Sequence, residues 1–210
     1  MSTQKTSTTP ISITPTLSQQ LPNHYEITID GVALSLTQVV YPDHLELLHR
    51  WMHLPHVIPQ WQLNKTPVEL AVYFEKMLSD DHQRLYLVGI NSEWVGYTEI
   101  YEGHRDRLGR YYSSEPMDLG WHLLIAEKSA YAQGYLRLVI RALSYFLFDQ
   151  PGVTRIVGEP DASVKPYEVV ARSLCYEPQR LIPMPEKTAM LYFCDREAFL
   201  QTYPKPQRAN

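Results

Sequence analysis

The chain has 210 residues, 44% of them hydrophobic and 20% charged, and 19 Lys and Arg against 23 Asp and Glu give a formal net charge of −4. That length and apolar content suit one domain with a real core, while the mildly acidic balance supplies no field for a polyanion and argues against nucleic-acid binding. No run of about 18 apolar residues occurs, which excludes a membrane-spanning helix.

Residues 1–22 are rich in Ser, Thr, Gln and Pro and lack an apolar h-region, so they read as a disordered tail rather than a secretory leader. One domain is expected over residues 23–210. The two cysteines, Cys175 and Cys194, form no Cys-x-x-Cys pair, which fits a reducing, cytoplasmic setting. His24–Ile29 and Val32–Val39 are β-rich runs joined by Asp30-Gly31, a hairpin signal. Asp43 is the expected cap of a helix with Leu45, Leu48 and Met52 on one stripe, ending before Pro55. Thr66-Pro67-Val68-Glu69 is a capping box with Pro at the first helical position, opening a helix that carries Leu70, Phe74 and Leu78.

Leu85–Ile90 and Trp94–Tyr101, joined at Asn91-Ser92, predict a second antiparallel hairpin. Glu102–Pro116 is polar and reads as a loop. Leu119–Ile125 is a strand, a long amphipathic helix follows Gly134, Thr154–Gly158 is a strand, Lys165–Leu174 a helix and Thr188–Phe193 a last strand. The βαβ unit from Leu119 to Glu159 should hold two parallel strands with a right-handed crossover. The expected fold class is therefore α+β: a mixed, mostly antiparallel sheet with one central parallel pair, flanked by helices. Where that pair splays, a V-shaped gap opens.

Several residues near the gap carry chemistry. The loop Ala126–Gly134 feeds a helix N-terminus, where backbone N–H groups and about half a positive charge face outward; Lys128, Arg137 and Arg141 add full charges. It fits either a pyrophosphate cradle or an ordinary strand-to-helix connection. Strand alternation puts Leu119, Trp121, Leu123 and Ile125 on one face and Gly120, His122 and Leu124 on the other. Glu159-Pro160-Asp161 ends the partner strand, so His122 and Asp161 can share one cleft. With an ordinary pKa near 6.5, His122 is then a candidate general base oriented by Asp161. The alternative is a core histidine and a helix cap. Trp51–Trp61, dense in aromatics and prolines, suits a pocket wall or a hydrophobic staple. His49 and His53 are four apart but lack an acidic third ligand and a His-Glu-x-x-His motif, so no metal is expected; no Gly-x-Ser-x-Gly occurs either.

The ordered set of pieces resembles the GNAT superfamily of acyl-CoA N-acyltransferases, and within it the siderophore-biosynthesis branch acting on N-hydroxylysine or N-hydroxy-diamines, as in aerobactin-type pathways. The matching pieces are Trp51-x-x-x-Pro55-x-Val57 with Trp61, Gly96-Tyr97-x-Glu99-x-Tyr101, Asp106-Arg107, Asp118-x-Gly120-x-His122-Leu123-Leu124-Ile125, Ala142-Leu143-x-Tyr145-x-Leu147-Phe148, Arg155-Ile156-Val157, Glu159-Pro160-Asp161 and Lys187-x-Ala189. They span about residues 24–200. The resemblance implies acetyl-CoA as co-substrate in the gap, held by Leu123, Leu124, Ile125, Lys128, Ala132, Gln133, Gly134, Tyr135 and Arg137. It implies catalytic roles for His122 and Asp161 and no metal. It also implies a functional link to a flavin N-hydroxylase and a siderophore synthetase. Three positions depart from the family pattern: the Gly-x-Gly loop is Ala132-Gln133-Gly134, an Asn is Val164, and a late Gly-Phe is Cys175-Tyr176.

The expected reaction is acetyl transfer from acetyl-CoA to the hydroxylated nitrogen of N-hydroxyputrescine, N-hydroxycadaverine or N6-hydroxylysine. Trp61, Tyr97, Glu99, Tyr101 and Asp106 are the expected acceptor contacts. Glu99, Glu102 or Asp106 can hold a distal ammonium, and Arg105, Arg107 or Arg110 a carboxylate, so the sequence does not choose between diamine and amino acid. A plain polyamine or antibiotic acceptor, or a non-catalytic acyl-CoA-binding module, are the other readings.

Overall fold

A computed structural model describes residues 15–206 except 129, 131 and 132. Among the described residues one eight-stranded sheet runs in the order β1-β2-β3-β4-β5-β6-β8-β7. β1 (His24–Ile29) and β2 (Val32–Gln38) form the first hairpin. Its turn residues Asp30 and Gly31 both have positive φ, +52° and +81°, the backbone that lets a two-residue turn follow the strand twist. β3 (Gln83–Ile90) and β4 (Glu93–Glu102) repeat this through Asn91 and Ser92, at +48° and +71°.

β5 (Leu119–Ile125) pairs antiparallel with β4 along its whole length. With β6 (Arg155–Gly158) it pairs in parallel at only two positions, Leu119 with Ile156 and Gly120 with Val157. Bidentate hydrogen bonds clamp the starts of these strands, Arg155 Nε to Asp118 Oδ1 at 2.8 Å and Nη2 to Oδ2 at 2.6 Å. Beyond Gly120, β5 stays with β4 while the chain after β6 follows β8 (Thr188–Asp195): Met190 N–H donates to Pro160 O and Asp161 bridges Ala189. The two parallel strands therefore part from a pinned end.

The crossover helix α5 (Tyr135–Phe148) buries Val139, Ile140, Leu143, Phe146 and Leu147 against one face of the sheet, with Leu119, Trp121 and Ile125 of β5. Each such side chain stabilises by about 1.5–3 kcal/mol relative to exposure. The opposite face packs on α2 (Leu45–Met52), α3 (Ile58–Trp61) and α4 (Pro67–Ser79), where Leu124 joins Leu48, Trp51 and Phe74. Both faces of β5 match the expected alternation, and the capping box at Thr66 and Glu69 is formed.

Four expectations change. Residues 15–22, assigned to a tail, include the capped turn α1 (Leu17–Gln20), which docks because Ser18 N–H donates to the buried Glu102 and Leu21 enters the core; residues 1–14 lie outside the described residues. Asp43 does not cap α2; His44 occupies that position and its Nδ1 accepts from Val40 N–H. Glu102–Pro116 contains a 3₁₀ turn, Arg107–Tyr111. An additional strand, β7 (Tyr176–Pro183), lies at the sheet edge, where its prolines cost no ladder bond; α6 (Lys165–Ser173) precedes it and α7 (Arg196–Thr202) closes the chain.

Candidate active site

Alternation along β4 sends Tyr97, Glu99 and Tyr101 to one face, and the register sets them directly opposite Leu124, His122 and Gly120 of β5. Gly120 is required there. A Cβ on it would stand 2.2 Å from the Tyr101 ring, so its absence lets Tyr101 lie across β5 and reach β6.

The result is one connected cluster. His122 Nε2 is 2.9 Å from Glu159 Oε1 and its Nδ1 is 3.3 Å from Glu99 Oε2. Glu99 Oε1 accepts from Tyr97 Oη at 2.9 Å and from Tyr73 Oη at 3.2 Å. Glu159 Oε2 accepts from Tyr101 Oη at 2.7 Å, and Lys187 Nζ stands 3.7 Å from Oε1. The His122 side chain is 33% exposed, whereas the side chains of Glu99 and Glu159 are 7% and 1% exposed. Trp61 packs edge-on against Tyr97, with ring centroids 5.5 Å apart, and walls the cluster on the α3 side.

Charge follows from this geometry. Burial alone would lower the His122 pKa, but the two facing carboxylates outweigh it and raise the group to about 10. Burial would raise Glu159, yet His122 and Lys187 hold it at about 2. The facing carboxylates thus favour the imidazolium form of the ring. The hydrogen-bond partner of His122 is Glu159, where the sequence suggested Asp161, whose carboxylate accepts from Ser163 N–H two residues along the next turn.

The gap beside the cluster is edged by backbone groups of β5 that do not bond β4, and peptide planarity fixes which ones. Ala126 N–H donates to Val95 O in β4, so Ile125 C=O on the same peptide points away from β4. His122 C=O accepts from Thr98 Oγ1 and Leu124 C=O approaches Gly96, so the N–H groups of Leu123 and Ile125 point away too. Away from β4 lies the space that β6 has left. Leu123 and Ile125 thus present donors along the gap, whereas the Leu124 carbonyl faces β4 and its side chain is core. Gly134, with φ +73°, opens α5 with open space over its α-carbon. Lys128, Gln133 and Arg137 are exposed around this end, and Tyr135 is half-buried against the core. Ala132 lies outside the described residues. Arg141 pairs with Asp30 at 2.6 Å.

The polar loop borders the cluster without a side-chain hydrogen bond to it among those of Asp106, Glu102 and Arg107. Asp106 caps the 3₁₀ turn, its Oδ1 accepting from Leu108 N–H. Glu102 is taken by Ser18 and Arg105, and Arg107 pairs with Glu186 at 2.5 Å. Sequence reasoning left Tyr73 and Glu159 out of the site; the only signal for Glu159 was its shared strand parity with Asp161. His49 and His53 stack on each other, and no group of three metal-ligating side chains occurs among the described residues.

The splayed parallel pair, with donors along one lip and an acid–base cluster above it, defines an acyltransferase architecture. The Acetyltransferase (GNAT) domain family model matches residues 41–184, and the chain belongs to that family. It is 50% identical over 186 residues, 89% of each chain, to an N-hydroxyputrescine acetyltransferase of Acinetobacter baumannii. Among solved structures it is similar to an uncharacterized protein of Bacillus halodurans, with 31% identity, a TM-score of 0.82 and coverage of 85% of this chain and 93% of that one. The aminoglycoside acetyltransferase AAC(6′)-Ib in complex with coenzyme A matches at 25% identity and a TM-score of 0.71, covering 81% and 98%.

Proposed function

We propose that this protein moves the acetyl group of acetyl-CoA to the hydroxylated nitrogen of an N-hydroxy aliphatic amine, making a hydroxamate for siderophore biosynthesis. The observation that carries this reading is the 50% identity, over nearly the whole of both chains, with an N-hydroxyputrescine acetyltransferase. N-hydroxyputrescine, N-hydroxycadaverine and N6-hydroxylysine are the acceptors considered. The cytoplasm is the proposed setting, with a flavin N-hydroxylase supplying the acceptor and a siderophore synthetase consuming the product.

The chemistry suits the cluster. The thioester lies in the gap, where the N–H groups of Leu123 and Ile125 face the acyl donor and can hold charge developing on its carbonyl oxygen. An N-hydroxyamine is largely neutral at pH 7, so it attacks the carbonyl carbon without prior deprotonation. The N–C bond forms, the C–S bond breaks, one proton leaves nitrogen and one is needed by the departing thiolate. The His122 imidazolium donates to sulfur and the resulting imidazole takes the proton from nitrogen, so the net transfer passes through one side chain. Glu159 and Glu99 hold that ring in place, and Tyr101 orients Glu159. Asp161 keeps at most an accessory role. Among the candidates for a distal ammonium, Glu99 is the one inside the cluster, walled by Trp61, Tyr73 and Tyr97. Gly134, Gln133, Tyr135, Lys128 and Arg137 surround the end of the gap proposed for the nucleotide.

The likeness to AAC(6′)-Ib favours one further reading, a plain amine acceptor. Supplying acetyl-CoA with the three N-hydroxyamines and their unhydroxylated parents, and following free thiol, separates the two. Turnover of the hydroxylated amines supports the proposal. Turnover confined to the parents would replace it.

A further inference from the structure

Lys187 reaches the cluster from the β8 side, and the mechanism above gives it no contact with the acceptor. It immediately precedes β8, and strand parity puts it on the face of Ala189 and Leu191, which pack with Tyr101 and Val157. The chain beyond β6 bridges Asp161 to Ala189, so Lys187 stands past that bridge, at the open end of the parted strands. Its neighbour on this face, Ala189, carries only a methyl, and the Lys187 side chain leans back until Nζ is 3.7 Å from Glu159 Oε1. That is the oxygen His122 Nε2 meets at 2.9 Å. Ammonium and imidazole therefore converge on one atom, within a small molecule's reach of each other.

At 3.7 Å this contact is an ion pair and not a hydrogen bond, and Nζ makes no hydrogen bond among the described residues. Asp161, the other carboxylate whose charge feels the lysine, is turned to Ser163 N–H, and Glu186 pairs with Arg107. The Lys187 side chain is 19% exposed, so its three N–H donors are reachable and unspent. Reach decides what they meet. With the acceptor nitrogen at His122, the distal ammonium or carboxylate of the acceptor lies a whole alkyl chain away. The group close at hand is the hydroxyl on the reacting nitrogen, whose oxygen has lone pairs for a donor. A plain amine lacks that oxygen and, as an ammonium at neutral pH, brings only positive charge and donors. We propose that Lys187 is a specificity-determining residue for the acceptor: its ammonium donates a hydrogen bond to the N–OH oxygen, and so distinguishes a hydroxylated nitrogen from a plain one. In the same position it covers the Glu159 oxygen with which a protonated plain amine would pair. This inference deepens, and rests on, the reading that an N-hydroxyamine is the acceptor.

The two reaction products test this on the full chain, because N-acetyl-N-hydroxyputrescine and N-acetylputrescine differ only in that oxygen. Each is titrated calorimetrically in the presence of coenzyme A, which makes the result independent of turnover. The unaltered protein should bind the hydroxylated compound more tightly. Lys187→Met, which keeps the stem and removes the ammonium, should weaken that compound about tenfold, as for one lost hydrogen bond from a charged donor, without weakening the other. Lys187→Arg should keep the preference. A lysine that acted only through Glu159 would change kcat and leave the ratio of the two affinities where it was. An unchanged ratio in Lys187→Met, or equal binding of both compounds by the unaltered protein, would overturn the assignment. Thiol release from acetyl-CoA, followed in parallel, keeps the two readings apart: an unaltered protein that acetylates no N-hydroxyamine would overturn the Proposed function itself.

Discussion

The cluster above β5 and the polar stretch 102–116 draw on the same residue types but use them oppositely. In the stretch, charges neutralise one another or cap backbone: Arg105 meets Glu102 and Asp81, Arg107 meets Glu186, and Asp106 closes a turn. In the cluster, two nearly buried carboxylates converge on one imidazole that remains one-third exposed. The first arrangement fixes a loop. The second holds a proton where solvent and substrate can reach it, because opposite charge raises the proton affinity of the ring more than burial lowers it.

Removing the imidazole should give the largest effect. His122→Ala is expected to lower kcat by roughly 10²–10⁴ in the thiol-release assay, the range for a lost acid–base group. Wild-type turnover with saturating acceptor would mean that the cluster is only structural. Next comes the choice of carboxylate. Glu159→Gln should cost about a hundredfold, at the lower end of the same range, whereas Asp161→Asn should stay within about twofold, as for a side chain outside the cluster. The reverse order, measured in parallel, would restore Asp161 as the partner of His122.

The pH dependence of stability sharpens the contrast further. His122 rises from an ordinary 6.5 to about 10, so its contribution is complete below pH 6.5 and disappears as pH climbs through 10. Glu159 falls from 4.5 to about 2, so its contribution is complete above 4.5 and is lost as pH drops through 2. Both are present in full between about pH 4.5 and 6.5. The Tm should decline from pH 6.5 toward 10, and His122→Gln should flatten that decline. An identical alkaline slope in the variant would place the titrating group elsewhere.

Much of this was legible in the sequence because it rests on local rules. The two hairpin turns, the capping box at Thr66, the alternation of β5 and the βαβ order located His122 at a parting of strands. What stayed hidden depends on where the chain goes next. Glu159 and Asp161 have the same strand parity, so alternation cannot separate them; they are separated because the chain beyond Glu159 follows β8 rather than β5. β7 was missed because Pro178 and Pro183 argue against a strand unless it lies at an edge. The roles of Glu102 and Asp106 turn on a partner 84 residues away and on a local turn, respectively. Tyr73 enters the site from α4, on a helix whose face is set only by packing.

The smallest expected effect tests the loop side of the comparison and the acceptor class together. Arg107 and Glu186 are 48% and 41% exposed, and such a pair contributes about 0–1 kcal/mol, little of it felt at the cluster. With an N-hydroxy-diamine as acceptor, Arg107→Ala should leave kcat and KM within about twofold of the unaltered protein, since an exposed pair outside the site carries no binding energy. An amino-acid acceptor behaves differently. Its carboxylate needs a cation, and Arg107, freed from Glu186, is among the groups that can supply one. If Arg107→Ala raises KM for N6-hydroxylysine while sparing N-hydroxyputrescine, the loop belongs to the site after all, and its ion pair is a resting state that the acceptor's carboxylate replaces. If both acceptors are unaffected, the stretch is scaffold and recognition of the acceptor lies with the cluster.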